Sequence, residues 1–162
     1  MISIGVIPAR GGSKSIPLKN IKKLNGKPLI EYTIEVAIES KVLDRIIVST
    51  DHIEIAKVCE KYSEVDVFIR PDSLSVDTAR TEPVLLHVCD ELHKRERLIP
   101  DFVLTLEPTS PMRRADTIRR CLDFVSRPDV DSVLAVTETR EVYGRIKNET
   151  YQHLIPNQPR RR

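Results

Sequence analysis

A short apolar run at the N-terminus constrains the fold more than any other stretch of this chain. Residues 2–7 have the length and the β-branched composition of a buried strand. The run leads into the glycine pair Gly11-Gly12, and the loop that follows closes at Pro17. The sequence therefore predicts a buried first strand and a glycine-containing loop, around which the other elements are arranged.

The loop after this strand carries positive charge with no acid nearby. Six Lys and Arg residues precede the first acid, Glu31, although the net charge of the whole chain is only +2. Glycines let backbone N–H groups approach an anion, and Arg10 and Lys14 can pair with phosphate oxygens. We therefore predict an anion-binding loop, with a merely solvated basic surface as the alternative. The spacing fits neither the Walker A pattern nor the dinucleotide pattern G-x-G-x-x-G.

Composition excludes several other classes of protein. A chain of 162 residues with 40% hydrophobic residues is the size of one domain with a real core. The near-balanced charge and the 4% aromatic content argue against a nucleic-acid partner. No apolar run is long enough for a membrane span or a signal peptide. The three widely spaced cysteines indicate reduced core residues, so we expect a cytoplasmic protein.

Strand and helix patterns alternate along the chain, which predicts an α/β fold with a mostly parallel sheet and helices on both faces. The predicted strands after the first are 45–49, 65–69, 102–106 and 132–137. The predicted helices cover 28–40, a segment capped by Thr50 and Asp51, and segments around 84–92 and 118–125. We expect strand 102–106 to be central because it is continuously apolar. Beyond Arg140, segments 143–146 and 150–154 indicate a short hairpin.

Polar and charged side chains follow each of the first four predicted strands. They are Arg10, Ser13 and Lys14, then residues 49–51, then Arg70, and finally Glu107, Thr109 and Ser110. Ligands of parallel α/β sheets bind at the carboxyl ends of the strands, so the topology brings these four groups to one edge. Taken singly, each group could be no more than a helix cap or a turn. Their convergence predicts a binding site.

Several motifs, in the same order along the chain, resemble the acylneuraminate cytidylyltransferase family. The most specific is residues 7–17 (IPARGGSKSIP), followed by Lys19-Asn20-Ile21 and Gly26-Lys27-Pro28-Leu29. Further matches are residues 48–51 (VSTD), Arg70-Pro71, Asp77-Thr78-Ala79, and residues 108–111 (PTSP) with Arg113. The resemblance extends over essentially the whole chain.

The resemblance implies a Rossmann-like nucleotidyltransferase fold and transfer of CMP from CTP to the anomeric hydroxyl of a nine-carbon sugar acid, with release of pyrophosphate. It makes Arg10 and Lys14 catalytic, because they would neutralise charge on the leaving phosphates. The implied nucleotide-binding residues are Arg10, Gly11, Gly12, Ser13, Lys14, Asn20, Arg70 and Thr81. The implied sugar-binding residues are Glu107, Thr109, Ser110 and Arg160. We also expect a homodimer.

Three departures from the family pattern matter. Ser15 stands where glycine is usual, and Glu107 replaces a glutamine, which favours a relative of sialic acid as substrate. The aspartates that bind magnesium in the family would lie beyond Arg162, so Mg²⁺ is expected with CTP but without those ligands. The sequence thus looks truncated, with a nucleotide-binding core over 1–139 and the start of a dimerisation and sugar-binding arm over 140–162.

Two other functions stay open on the sequence alone. The chain could act on another sugar, such as the eight-carbon acid of lipopolysaccharide, or it could be a non-catalytic nucleotide-binding fragment. Base preference and screening of acceptor sugars distinguish an enzyme for another sugar from one for nine-carbon acids. CTP binding without pyrophosphate release would indicate a non-catalytic fragment. Among nine-carbon acids, N-acetylneuraminic, legionaminic and pseudaminic acids are equally compatible.

Overall fold

A parallel sheet of four strands forms the centre of the molecule. The computed structural model describes residues 1–13, 15–76, 80–136, 144–147 and 150–153, the last two ranges as backbone only. In this part of the chain the main sheet contains β1 (Ser3–Pro8), β4 (Arg45–Thr50), β5 (Val65–Ile69) and β6 (Phe102–Thr105), in the order β5-β4-β1-β6. All three pairings are parallel. Two short strands, β2 (Lys23–Leu24) and β3 (Lys27–Pro28), pair antiparallel outside it.

Helices cover both faces of this sheet. They are α1 (Leu29–Ser40), α2 (Ile53–Cys59), α3 (Thr81–Glu96) and α4 (Ala115–Val125), and single 3₁₀ turns span Lys19–Ile21 and Asp72–Leu74. One buried cluster joins α1, α2 and α4 to the sheet, and a second joins α3 to the opposite face. The α/β fold with helices on both faces, predicted from the sequence, is confirmed.

The first strand is buried on both sides because its residues alternate between the two clusters. Ile4 and Val6 pack on the α3 side, whereas Ile7 packs on the side of α1, α2 and α4. All three side chains have no exposed surface. The unbroken apolar run is therefore the signature of a strand enclosed by helices on two faces, as parallel sheets require.

Three predictions about individual elements are wrong. Strand β6 is not central but lies at the edge of the described sheet, where Val103 is 36% exposed. Residues 132–136 form no strand; Leu134 and Val136 are more than 80% exposed, and no neighbouring strand in the described chain accepts their N–H groups. The helix cap at α2 is His52 rather than Thr50 or Asp51, because the His52 ring accepts a hydrogen bond from the Glu54 N–H.

Other predictions from the sequence fare better. The backbone of β7 (Gly144–Lys147) and β8 (Thr150–His153) forms an antiparallel hairpin, as expected beyond residue 140. The three cysteines are free thiols located in α2, α3 and α4. Within the described residues, no helix combines the length and the hydropathy needed to cross a membrane.

Candidate nucleotide site

A cleft of about 230 Å³ opens at the carboxyl edge of the sheet. After β1 the chain adds β4 and then β5 on one side of β1, and it later adds β6 on the other side. The strand order therefore reverses between β1 and β6. Ligands of open α/β sheets bind at such a reversal. The cleft is lined by residues from the loops after β1, β5 and β6 and from the start of α3, namely Pro8, Arg10, Ser13, Lys19, Asn20, Arg70, Leu74, Val76, Arg80, Thr81, Val84, Glu107, Pro108 and Thr109.

The loop after β1, residues 9–13, is held by contacts with two other segments. The Gly11 N–H donates to Oδ1 of Asp51 at 2.8 Å, and the buried Asn20 amide donates to the Arg10 carbonyl at 3.0 Å. Within the loop, the Ser13 N–H donates to the Gly11 carbonyl at 2.9 Å. The Gly11 N–H therefore already has an acceptor, which differs from the expectation that it contacts an anion. Arg10 and Ser13 are the loop residues that line the cleft.

The two glycines of this loop differ in their surroundings. A Cβ atom on Gly11 would lie 2.7–2.9 Å from three side-chain carbons of His52, closer than such atoms pack, whereas a Cβ on Gly12 would meet nothing within 4 Å. His52 is itself fixed, since its N–H donates to the Thr50 hydroxyl at 3.1 Å and its Nδ1 caps α2. Gly11 is thus required by the close approach of the loop to α2, and Gly12 is not.

Arg70 is a buried cation at the floor of the cleft. Its side chain is held by the Ser49 carbonyl, which accepts from Nη2 at 2.7 Å, and more weakly by the Leu74 carbonyl at 3.4 Å. Its Nε is buried and has no hydrogen-bond acceptor in the described residues. Burial lowers the Arg70 pKa; the neighbouring charge of Arg10 lowers it further, while Asp51 raises it. Two guanidinium groups thus lie close enough to repel each other, which an anionic ligand would relieve.

Glu107 adds a carboxylate to the other side of the cleft. Burial raises its pKa from the ordinary 4.5, and the positive charges of Arg113, Lys19 and Arg70 partly oppose that shift. Arg113 also donates to the Glu107 carbonyl oxygen at 3.2 Å and so fixes the turn after β6. A half-buried carboxylate of this kind suits a hydroxyl or amine donor on a ligand better than a second carboxylate.

The remaining wall is the N-terminal end of α3 with a small apolar strip. Thr81, the first residue of the helix, and Arg80 before it both line the cleft. The side chain of Arg80, at the N-cap position, makes no capping hydrogen bond, and no other residue that the structure describes caps this end of α3. Unpaired N–H groups and the helix dipole favour negative charge at such an end. Leu74 and Val76 supply apolar surface beside it.

The structure brings together most, but not all, of the residues predicted from the sequence. Arg10, Ser13, Asn20, Arg70, Thr81, Glu107 and Thr109 line the cleft, whereas Gly11 and Gly12 belong to the loop after β1 but do not line the cleft, and the exposed Ser110 does not line it either. Lys14 and Arg160 lie outside the described residues. Lys19 and Arg80 line the cleft but were not among the predicted site residues. The acid-free N-terminal segment was the signal for Lys19; Arg80 had none.

The described residues do not fit a protein-built magnesium site. No group of three or more His, Cys, Asp or Glu side chains in this part of the chain is placed to hold a metal ion. The Asp51 carboxylate is bound to the Gly11 N–H, and Glu107 stands alone beside cations. We therefore assign no step of any reaction to a protein-bound metal ion.

An open parallel sheet with a cationic cleft at its reversal point defines a Rossmann-like α/β protein, a class whose ligands bind at that point. Solved nucleotidyltransferase structures have this fold. 4-Diphosphocytidyl-2C-methyl-D-erythritol synthase matches 96% of this chain and 69% of its own, with a TM-score of 0.74 and 15% identity. CMP:2-keto-3-deoxy-manno-octonic acid synthetase, solved with CTP, matches 77% of this chain and 47% of its own, with a TM-score of 0.63 and 22% identity.

The chain belongs to the cytidylyltransferase family, whose model matches residues 4–143. CMP-N,N'-diacetyllegionaminic acid synthase of Legionella pneumophila is 42% identical over 123 residues, which are 75% of this chain and 52% of that protein. Pseudaminic acid cytidylyltransferase of Campylobacter jejuni is 34% identical over 156 residues, 93% of this chain and 67% of the other. N-acylneuraminate cytidylyltransferase of Streptococcus agalactiae is 36% identical and matched over 33% of its length.

These relatives confirm the resemblance to acylneuraminate cytidylyltransferases that the motifs indicated. The chain spans about half of the legionaminic acid enzyme and two-thirds of the pseudaminic acid enzyme.

Proposed function

We propose that this chain binds CTP in the cleft and transfers CMP to the anomeric hydroxyl of a nine-carbon sugar acid, with release of pyrophosphate. The three relatives named above are a CMP-sugar acid synthase and two cytidylyltransferases for such acids. The proposal extends their activity to this chain. A homodimer and a cytoplasmic location are part of the same proposal.

The observation that carries the proposal is the pair of cations Arg10 and Arg70, which follow β1 and β5 and line the same cleft. Arg70 is 6% exposed, and its Nε has no acceptor in the described residues. Burial lowers its pKa, and the charge of Arg10 lowers it further, while Asp51 and Glu107 raise it. Placing two cations together in a partly dry cleft is unfavourable unless an anion joins them. A triphosphate has the charge and the reach to contact both.

The reaction that fits these groups is an in-line displacement at the α-phosphorus of CTP. The anomeric oxygen of the sugar acid forms the new bond to phosphorus and loses its proton to solvent. The bond between the α-phosphorus and the bridging oxygen breaks, and that oxygen leaves with pyrophosphate. Negative charge grows on the departing phosphates, so fixed cations at that point lower the barrier. We assign this role to Arg10 and, on the family motif, to Lys14. Mg²⁺ is expected to arrive with the CTP phosphates.

Glu107 is the residue that we expect to influence the choice of sugar acid. It lines the cleft with Thr109, opposite the loop after β1. A carboxylate repels the carboxylate that all these sugars share, but it accepts hydrogen bonds from hydroxyl and amide groups elsewhere on the sugar. Arg160, from the family motif, is proposed to bind the sugar carboxylate. Ser110 is retained only as a neighbour of this site.

Calorimetric titration tests the nucleotide assignment. The 162-residue chain is titrated with CTP, ATP, GTP and UTP in the presence of Mg²⁺, and the same titrations are repeated with Arg10→Ala and Lys14→Ala. We expect selective binding of CTP that is weakened at least tenfold, about 1.4 kcal/mol, by Arg10→Ala. Preference for another nucleotide, or no binding at all, would contradict the proposal.

A second assay separates an enzyme from a non-catalytic fragment. CTP and a panel of nine-carbon acids, with the eight-carbon acid of lipopolysaccharide included, are incubated with the chain while pyrophosphate is measured. Lys14→Ala is expected to lower turnover more than tenfold, about 1.4 kcal/mol of transition-state stabilisation, with a smaller loss of CTP affinity. CTP binding without pyrophosphate release from any acid would leave only the nucleotide-binding function.

A further inference from the structure

The Asp51 carboxylate contacts the loop after β1 at its centre. Its Oδ1 accepts the Gly11 N–H at 2.8 Å, although 40 residues separate the two in sequence. Gly11 directly follows Arg10, whose side chain lines the cleft, and it precedes Ser13, which lines the cleft as well. Asp51 itself does not line the cleft. It therefore touches the loop from behind.

An acid in this position is unusual for a site that must attract an anion, because its charge opposes the ligand's charge. Its cost is offset by two contacts. It accepts a charge-assisted hydrogen bond from the loop backbone, which is stronger than one between neutral groups. It also lies close enough to Arg70 to raise the pKa of that residue, which burial and the charge of Arg10 lower. The carboxylate thus binds the loop while it reduces repulsion between the two arginines.

We propose that Asp51 is a positioning residue, which fixes the backbone at Gly11 so that Arg10 and Ser13 are already directed into the cleft before CTP arrives. The inference rests on the proposed CTP site and adds a residue to it that makes no contact with the nucleotide. A ligand that finds its partners in place does not have to order them on binding, so a fixed loop gives higher affinity.

Two substitutions at this position separate the hydrogen bond from the charge. Asp51→Asn and Asp51→Ala both remove the negative charge, but only the asparagine keeps a side-chain oxygen that can accept from the Gly11 N–H. We expect Asp51→Ala to bind CTP about tenfold more weakly than Asp51→Asn, a difference of about 1.4 kcal/mol. Equal dissociation constants for the two variants would overturn the positioning role. So would tighter binding by Asp51→Ala than by the parent chain, which would mean that Asp51 acts through its charge alone.

Asp44 provides a matched control at the opposite end of β1. Its Oδ2 accepts the Ser3 N–H at 2.7 Å, so it makes the same kind of bond as Asp51 but far from the cleft. Asp44→Ala is expected to lower the melting temperature while CTP affinity stays within about twofold of the parent chain. If Asp44→Ala weakens CTP binding as much as Asp51→Ala, the effect comes from general destabilisation and the inference is wrong.

Amide hydrogen exchange at Gly11 keeps the two proposals distinguishable. In the free chain the Gly11 N–H is expected to exchange slowly in the parent and in Asp51→Asn, and quickly in Asp51→Ala. A parent chain that binds no CTP overturns the proposed function and this role with it, whatever the exchange shows. A parent chain that binds CTP, with fast exchange at Gly11 in every variant, overturns the inference alone.

Discussion

Replacing each of the two adjacent glycines by alanine tests whether the loop after β1 rests on α2. In Gly11→Ala the new methyl group would lie 2.7 Å from Cδ2 of His52 and 2.9 Å from its Cβ and Cγ, whereas in Gly12→Ala it would meet nothing within 4 Å. Carbon atoms pack at about 3.5–4.0 Å, so Gly11→Ala requires the loop or the ring to move by roughly 1 Å. The ring is not free to do so without loosening its bond to the Glu54 N–H.

The expected size of the effect follows from this clash. Overpacking of a fixed site costs about 1–3 kcal/mol. Alanine also restricts the unfolded chain, a gain of about 0.4–1 kcal/mol that is common to both variants when φ is not positive, as at Gly11 and Gly12. The free energies of unfolding should therefore differ by about 1–3 kcal/mol, with Gly12→Ala the more stable. At about 3 °C per kcal/mol for a chain of this size, the melting temperatures differ by roughly 3–9 °C.

Thermal unfolding of the two variants without nucleotide, followed by circular dichroism, measures this difference. The double variant Gly11→Ala/His52→Ala serves as the control, because removal of the ring clears the space that the methyl group needs. We expect the clash to disappear there, as a coupling of about 1 kcal/mol or more in the double-mutant cycle. A Gly11→Ala chain as stable as Gly12→Ala would refute the close contact and, with it, the physical reason for glycine at this position.

Two further substitutions test the turn after β6 and the packing of α4. Burial raises the Glu107 pKa above 4.5, so its protonated form favours folding and that contribution is lost as the pH rises through the raised pKa. Glu107→Gln should therefore raise the melting temperature at neutral pH but not below pH 4.5; an equal shift at both would contradict this. Arg119 donates to the Ser40 and Glu39 carbonyls at the end of α1. In chemical unfolding, Arg119→Ala should lower the free energy of unfolding by about 1 kcal/mol, and the exposed control Arg120→Ala should change it by less than about 0.5 kcal/mol. Equal losses would refute a stabilising role for the two Arg119 hydrogen bonds.

The sequence predicted the fold because the rules that it obeys are local. The side chains of the first strand alternate between two buried clusters. Each strand and helix has its own hydrophobic periodicity, which can be read from a single sequence. The position of a strand within the sheet does not follow from such local patterns. Strand β6 reads as central from its apolar residues, yet pairing on one edge only makes it half-exposed in the described chain. Pairing partners are set by distant segments, and composition does not reveal them.

The site was predicted to a similar extent, and for similar reasons. Residues directly after strands were expected at the cleft from topology, and Arg10, Arg70 and Glu107 line it. The partner of each group was not foreseeable. Asp51 was expected to cap α2, but it binds the Gly11 N–H, and His52 takes the capping role. Both are polar residues before a helix, and only the close approach of the β1 loop decides between them.

The two aspartates that flank β4 each accept a backbone N–H from β1 or from the loop after it. Asp44, before the strand, accepts the Ser3 N–H, and Asp51, after it, accepts the Gly11 N–H. Between these two bonds, β1 pairs with β4 from Ile4 beside Arg45 to Pro8 beside Ser49. A slip of β1 along β4 by any number of residues would break both carboxylate contacts at once. The position of the glycine loop relative to the edge of the sheet is therefore fixed by contacts at both ends of β4. The length of β4 determines how far beyond that edge the loop of the candidate site lies.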